Sequence, residues 1–424
     1  MSLKQAFSKI ENYRDELMDI CSKLIQCPSS HPEGRTVECV AYIKDYFDQP
    51  GISTEIYQRN KNKPNIVAKI RGHGKNKIMW IGHLDVVPAG KTESWTYPPY
   101  SGKITEDGFI WGRGASDMKG ACAAAIIAAR ILNELKEIPN NVDFWFTADE
   151  EIGGVDGAYW LAQERFFQGE VCIIGDGSPG TSYNPAIDLG CKGSVRTWLK
   201  AWGKTAHGSR PFLGDNAIEK LLKVIPHVKK IANFPLDIPD ELEPIITSTI
   251  EYMEKEEFDD KQKAALLRLF HYPSITLNIL NGGVKTNVVP DYAEAYFDIR
   301  LTSGSKPVRI RNTISNYVKE ACEPDVKVEF LKPSNTAGYY ESPKTLFAKQ
   351  LAEAVELSTG KKPIFKLLTG GTDAVRIKRF IDVPCLGFGS SIEGQAHAPD
   401  EHNHIELLNM STKVYTVFPL IYKN

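Results

Sequence analysis

The sequence predicts an α/β protein whose α/β layer is interrupted by an α+β segment. Three observations predict this. Apolar runs at 78–81, 142–146 and 171–174 each end in chemically capable polar residues, with helical stretches between them. From Gly193 the patterns follow the order β-α-β-β-α-β, that of a split βαβ, ferredoxin-like unit. Beyond about 339 the α/β texture returns with a helix, a Gly-Gly loop and a further strand. The expected division is therefore 1–192 and 339–424 as one domain in two parts, with 193–338 as the other.

Taken in order, residues 4–26 carry apolar positions at Phe7, Ile10, Leu17, Ile20, Leu24 and Ile25, spaced as in a single helix. A Cys-Pro-Ser-Ser-His-Pro loop ends it, and 36–47 reads as a second helix. Strands at 53–57 and 65–70 flank a basic loop. The run KIMWIGHLDVVP (77–88) reads as a strand ending at His83 and Asp85, which at i and i+2 are expected on one side. WTYPPY (95–100) is an aromatic and proline loop, read either as a rigid pocket wall or as a surface loop. After it, IWGRGASDMKG places Asp117 just before an Ala-rich helix suited to close packing. That loop has neither GxGxxG nor GxxxxGK[ST], which argues against a phosphate cradle. VDFWFTADEEIGG (142–154) is a strand that stops at Asp149, Glu150 and Glu151, and VCIIG (171–175) is one that stops at Asp176. Strand ends of this kind, read as a parallel sheet, form the edge at which open α/β sheets place their sites. In the interrupting segment, strands are expected at 195–203, 274–280, 293–301 and 326–331, and helices at 215–231 and 308–321. An acidic insert at 236–268 has no assignment. A helix at 343–358, the loop TGGTD (369–373) and a strand at 383–388 follow, and a last helix starts at 405.

Bulk properties exclude several function classes. A net charge of −2 argues against nucleic acid or an anionic membrane as partner. No apolar run approaches the roughly 20 residues of a membrane span. The first 20 residues are amphipathic and charged, without the apolar core of a signal peptide. Eight cysteines without a CxxC pair fit a reducing, cytoplasmic compartment.

His83, Asp117, Glu151, Asp176 and a late histidine make an N/O donor set without thiolate, which suits one or two zinc ions, with Co2+ or Mn2+ as substitutes. The late histidine is one of His397, His402 and His404, and the residues alone do not choose among them. A carboxylate bridging two ions would leave room for a shared water, with Glu150 free to act as general base. His207, alone in a Gly/Ser loop, reads first as a surface residue.

GHLDVVP, GRGASDMKG, TADEEIGG, IIGD, GKTAHGS with NAIEKL, and GGTDA together resemble the di-zinc amidohydrolase family of acetylornithine deacetylase, succinyl-diaminopimelate desuccinylase, aminoacylase-1, carnosinase and carboxypeptidase G. The resemblance runs along nearly the whole chain, with the motifs in family order. It implies a zinc-exopeptidase-like catalytic domain with a mixed sheet, interrupted by a ferredoxin-like lid through which subunits dimerise. By position, His83, Asp117 and Asp176 would hold one zinc, and Asp117 as bridge would join Glu151 and His397 around a second. Asp85 matches the orienting carboxylate and Glu150 the general base. His207 matches a histidine that reaches the active site of the other subunit and stabilises the oxyanion. Asn287, Arg300, Gly370 and Gly371 match pocket positions, with Arg300 as the clamp for a substrate carboxylate. The sequence departs from some members in carrying Asp176 in place of Glu, and the 236–268 insert lies outside the common core. The implied activity is cleavage of an amide beside a carboxylate, in an N-acyl amino acid or a short peptide. The contrasting class, a binding protein on the same fold, would be marked by loss of the base or the bridge, and neither is lost.

Overall fold

A computed structural model describes residues 3–254, 258–331 and 336–424. The chain divides into two compact units, Met1–Gly190 with Glu341–Leu368 and Thr372–Asn424, and Cys191–Tyr340 with Thr369–Gly371.

The first unit is built on a mixed sheet. Its strands lie in the order Ile52–Tyr57, Asn65–Ile70, Asn141–Thr147, Lys77–His83, Val171–Ile174, Cys385–Gly387 and Asn184–Cys191. The middle four run parallel to one another, whereas the first two and the last pair antiparallel. The parallel arrangement read from the strand ends forms the centre, and antiparallel flanks make the whole sheet mixed, as the family resemblance implied. The reason is connection length: the short loop after Tyr57 permits only a hairpin, since a parallel return needs a crossover of a dozen residues or more. Ile78, Met79, Trp80 and Ile81 are all buried, as expected for a central strand covered on both faces. Helix Lys119–Leu135 packs on this strand and on helices Arg14–Gln26 and Ile405–Ile421. Its run from Ala121 to Ala129 is fully buried, so the small side chains set how closely helix and sheet approach.

The single helix expected over 4–26 is two, Leu3–Asn12 and Arg14–Gln26. Tyr13 breaks the run with φ −97° and ψ 8°. Its hydroxyl is tied to Glu134, and the Arg130 guanidinium lies 4.7 Å over its ring. A tertiary anchor therefore overrides a helical period that is continuous in the sequence.

The second unit holds a four-stranded antiparallel sheet in the order Ser274–Gly282, Tyr292–Leu301, Gly193–Trp202, Val326–Phe330. Alternate residues Ala293, Ala295, Phe297, Ile299 and Leu301 are buried beneath helices Ala217–Lys229 and Pro307–Glu320. This is the ferredoxin-like arrangement. The unassigned insert contains helices Glu243–Met253 and Asp260–Arg268, the latter with a capping box at Asp259 and Gln262. Residues 255–257 of the insert lie outside the described residues. Among the described residues no helix is long and apolar enough to cross a membrane, and all eight cysteines are free thiols.

Candidate metal centre

The parallel strands of the first unit end side by side, and their ends carry the chemistry. His83 closes strand Lys77–His83 and is buried. Its Nδ1 lies 2.9 Å from the Asp85 carbonyl, to which it can only donate, so the lone pair is left on Nε2. Nε2 lies 3.1 Å from Asp117 Oδ1. Asp117 sits in the loop ahead of helix Lys119–Leu135, and its second oxygen is 3.2 Å from His397 Nε2. His397 Nε2 is also 3.1 Å from Glu151 Oε2. Two groups result, His83–Asp117–Asp176 and Asp117–Glu151–His397, each with donor atoms within 4.8 Å of one another and with Asp117 common to both.

The electrostatics of this cluster are those of a site short of positive charge. Burial and the neighbouring Asp117 charge push Asp176 well above the usual carboxylate range. The same two causes push Glu151 up to about 7. Burial works against the Asp117 anion too, but its bonds to His397 and His83 hold it below the ordinary value. His397, bonded to Asp117 and Glu151, is pushed up to about 10. Glu151 Oε1 is buried and finds no hydrogen-bond partner among the described residues. Clustered carboxylates, two imidazoles facing them through Nε2 and a buried oxygen without a donor fit a pair of divalent cations, which would take the place of the imidazole protons.

The three consecutive carboxylates have three different cationic partners. Asp149, in the left-handed region at φ 69°, pairs with Lys63. Glu150 pairs with Arg376, which also bonds the Glu150 carbonyl at 2.9 Å. Glu151 turns to His397.

Asp85 was expected on the same side as His83, as an orienting carboxylate, and its Oδ1 lies 3.8 Å from His83 Nδ1. The strand ends at His83, so the alternation of side chains does not continue to 85. The Asp85 carboxylate instead accepts from the backbone N–H of Glu150 at 3.0 Å and of Glu151 at 3.1 Å. His31 Nε2 closes on it at 2.8 Å. Asp85 therefore holds the His83 imidazole through its carbonyl and the 150–151 backbone through its carboxylate.

His402 and His404 are engaged elsewhere. His402 bonds the Asp400 carbonyl at 2.7 Å and lies against Trp111, while His404 accepts from Glu406 N at the start of the last helix. The loop bearing Asp117 is held by Glu401, which is fully buried. Its carboxylate accepts from the N–H of Gly114, Ser116 and Asp117 and from Arg113 Nη1 at 2.6–3.0 Å.

The remaining expected residues belong to the second unit. His207 Nδ1 is 2.8 Å from Ser209 Oγ, and the adjacent Gly208 N–H donates to the Asn287 carbonyl at 2.7 Å, so His207 and Asn287 are neighbours. Arg300 forms a two-pronged pair with Asp298 at 2.7 and 3.1 Å. The Gly370 carbonyl accepts from Lys192 N at 3.0 Å, and the space where a Gly370 side chain would project is open. Sequence reasoning missed His31, Lys63, Arg376 and Glu401. For Arg376 and Glu401 a signal existed, since each lies within four residues of a motif residue, Asp373 and His397.

Comparison with known proteins agrees with this geometry. The sequence profile of peptidase family M20/M25/M40 matches residues 79–420. A succinyl-diaminopimelate desuccinylase of Beijerinckia indica is 28% identical over 409 residues, 94% of this chain and 97% of that protein. In fold, the chain is similar to the M20 family metallo-carboxypeptidase Sso-CP2 of Sulfolobus solfataricus (TM-score 0.81, 20% identity, 96% of this chain and 100% of the other). It is equally similar to the di-peptidase Dug1p of Saccharomyces cerevisiae (TM-score 0.81, 18% identity, 99% and 98%).

Proposed function

The chain belongs to peptidase family M20/M25/M40 and is a metal-dependent hydrolase; from that premise we propose that it is an N-acyl amino acid deacylase of the acetylornithine deacetylase and succinyl-diaminopimelate desuccinylase type. The pair of donor groups sharing Asp117 supports the hydrolase chemistry, and the observation that favours the deacylase is the likeness to a succinyl-diaminopimelate desuccinylase along 94% of the chain. His83, Asp117 and Asp176 would hold one ion, and Asp117, Glu151 and His397 the other. The all-N/O donors suit two zinc ions, with Co2+ or Mn2+ as substitutes. When bound, such ions supply positive charge that polarises a carbonyl and makes water more acidic.

The chain's own residues supply the rest. Glu150 takes the proton of the attacking water and delivers it to the leaving amine. Asp85 holds the Glu150 and Glu151 backbone so that base and ligand keep their spacing. Arg300 exchanges Asp298 for the substrate carboxylate, a two-pronged pair of the same geometry. Asn287, Gly370 and Gly371, at positions the resemblance assigns to substrate, contact the bound substrate. His207, supplied by the other subunit of a homodimer, donates to the oxyanion. The second unit carries a surface suited to such a dimer: its edge strand Ser274–Gly282 exposes Ile279 and Leu280, and Val284 beyond it is 89% exposed. Eight free thiols support a cytoplasmic location.

A metallo-carboxypeptidase or dipeptidase would use the same residues, and fold similarity to proteins so described keeps that second reading in the test. The test is hydrolysis by zinc-reconstituted protein of N-succinyl-diaminopimelate, N-acetylornithine, other N-acetyl amino acids and several dipeptides, with a chelated control. Chelator-sensitive cleavage of one N-acyl substrate far above the others is the expected result. Preference for dipeptides would move the protein to the exopeptidases. No cleavage by protein with two ions bound would return it to the binding-protein class.

A further inference from the structure

The Gly-Gly pair behind the acidic triplet has a purpose that the triplet alone does not explain. Gly154 sits at φ +69°, and a Cβ there would come within 3.1 Å of Arg376 Cδ. The arginine stem thus lies over the glycine, and its guanidinium reaches the residue four positions earlier. Nη1 bonds Glu150 Oε1 and, at 2.8 Å, Asp373 Oδ1. Nη2 bonds the Glu150 carbonyl at 2.9 Å. Asp373 is buried and accepts in turn from Thr147 Oγ1 at 3.3 Å. Thr147 is the last residue of the strand that leads to Glu150. Thr147, Asp373, Arg376 and Glu150 therefore form a closed circuit that returns to its own strand.

A surface ion pair would need only the two charged ends, and it would contribute little. Here one guanidinium grips the side chain and main chain of the same residue and is itself anchored by a second, buried carboxylate. Such a clamp fixes the rotamer of Glu150. It also places a fixed positive charge beside an anion that stands near Glu151, Asp176 and Asp373.

We propose that Arg376 is a positioning residue for hydrolysis: by occupying Glu150 Oε1 and the Glu150 carbonyl, it presents Oε2 as the oxygen that accepts the water proton. The inference rests on the reading of Glu150 as the general base. Arg376 stays protonated throughout. The proton leaves the water for Oε2 and passes from Oε2 to the amine nitrogen as the C–N bond breaks, so the carboxylate is regenerated.

The experiment uses full-length zinc-loaded protein carrying Arg376→Ala, Arg376→Lys, Glu150→Ala, or Glu150→Ala with Arg376→Ala. It measures kcat and KM on the best substrate of the panel, together with metal content and melting temperature. Arg376→Ala is expected to lose about 100-fold in kcat, the scale of a general-base contribution. KM should stay within about threefold, with two ions still bound, since an interaction acting on the transition state moves kcat alone. Guanidinium ion at tens of millimolar should restore roughly tenfold of the loss. Arg376→Lys, which keeps the charge but not the fork, should lie between. The double variant should be no slower than Glu150→Ala, because Arg376 acts through Glu150. An Arg376→Ala protein with near-normal kcat would overturn the proposal. So would a loss that guanidinium does not repair, or a double variant much slower than Glu150→Ala. If Arg376→Ala fails to fold, Arg376→Lys decides, and wild-type kcat with the fork lost would overturn the idea. Substantial activity in Glu150→Ala itself would instead sink the base assignment, a distinguishable result.

Discussion

At the scale of residues, the site is a problem in neutralising charge, and the solution lies in partners distant along the chain. Asp149, Glu150 and Glu151 could not stand in a row without Lys63, Arg376 and His397. Asp85 completes the arrangement by taking two backbone N–H groups at once. Asp85→Asn keeps its volume but turns one acceptor into a donor facing an N–H. Its kcat is expected to fall ~10- to 100-fold, the usual cost of losing an orienting partner, and steady-state kinetics with a metal assay would check it. An unchanged kcat would mean that the loop holds itself. A second prediction concerns Lys192, which is almost fully buried, with its ammonium over Phe270. Burial, aided by the Arg300 charge, pushes its pKa down from 10.5 to about 7. Between those values the unfolded chain binds the proton and the folded chain does not, so this residue makes stability rise with pH, by on the order of 1.4 kcal/mol per pH unit at most. Wild type minus Lys192→Met, by denaturant unfolding from pH 7 to 10, should show that rise; parallel curves would refute it. The sequence showed where His83, Asp117, Asp176 and Glu151 stand, because each closes or follows a strand and spacing is local information. It could not show His31, Lys63, Arg376 or Glu401, whose bonds span 54, 86, 226 and 284 positions.

At the scale of elements, strand ends were legible because burial on both faces writes a continuous apolar run. Strand Asn184–Cys191 was not read at all: it opens on Asn-Pro and carries Asp188 and Gly190, yet Asp188 finds its charge partner in Lys366 at 2.7 Å. The break at Tyr13 was equally hidden, since helical spacing continues through it. The turn after the acidic triplet is set by close approach. A Cβ at Gly157 would stand 1.7 Å from the Ala148 carbonyl, and backbone cannot yield as a flexible side chain can. Gly157→Ala should cost at least ~2 kcal/mol, within the range for overpacking or more, and it should displace the loop bearing Glu150. Thermal melting alongside kcat would test this; a variant of normal stability would show that the loop relaxes freely.

At the scale of the molecule, the proposed homodimer makes two predictions that belong together. Ile279→Asp with Leu280→Lys on the exposed edge strand should yield monomers by light scattering, with helix and strand content unchanged. Mixing His207→Ala with Glu150→Ala protein should restore part of the activity that each lacks, provided subunits exchange. Dimers that persist in the first case, or no restoration despite proven exchange in the second, would count against a shared site. The position of one short strand has a different kind of consequence. Cys385–Gly387 is inserted between Val171–Ile174 and Asn184–Cys191, which precede it by about two hundred residues. On the ribosome, at roughly 5–20 residues per second, those strands wait some 10–40 s for their neighbour. Meanwhile the segment 191–340, nearly complete in itself, can close first. Nascent chains arrested near residue 375 should therefore resist protease across 191–340 while the preceding stretch is still cut. Until its last tenth emerges, the newborn chain carries an apolar edge that a chaperone would be expected to cover.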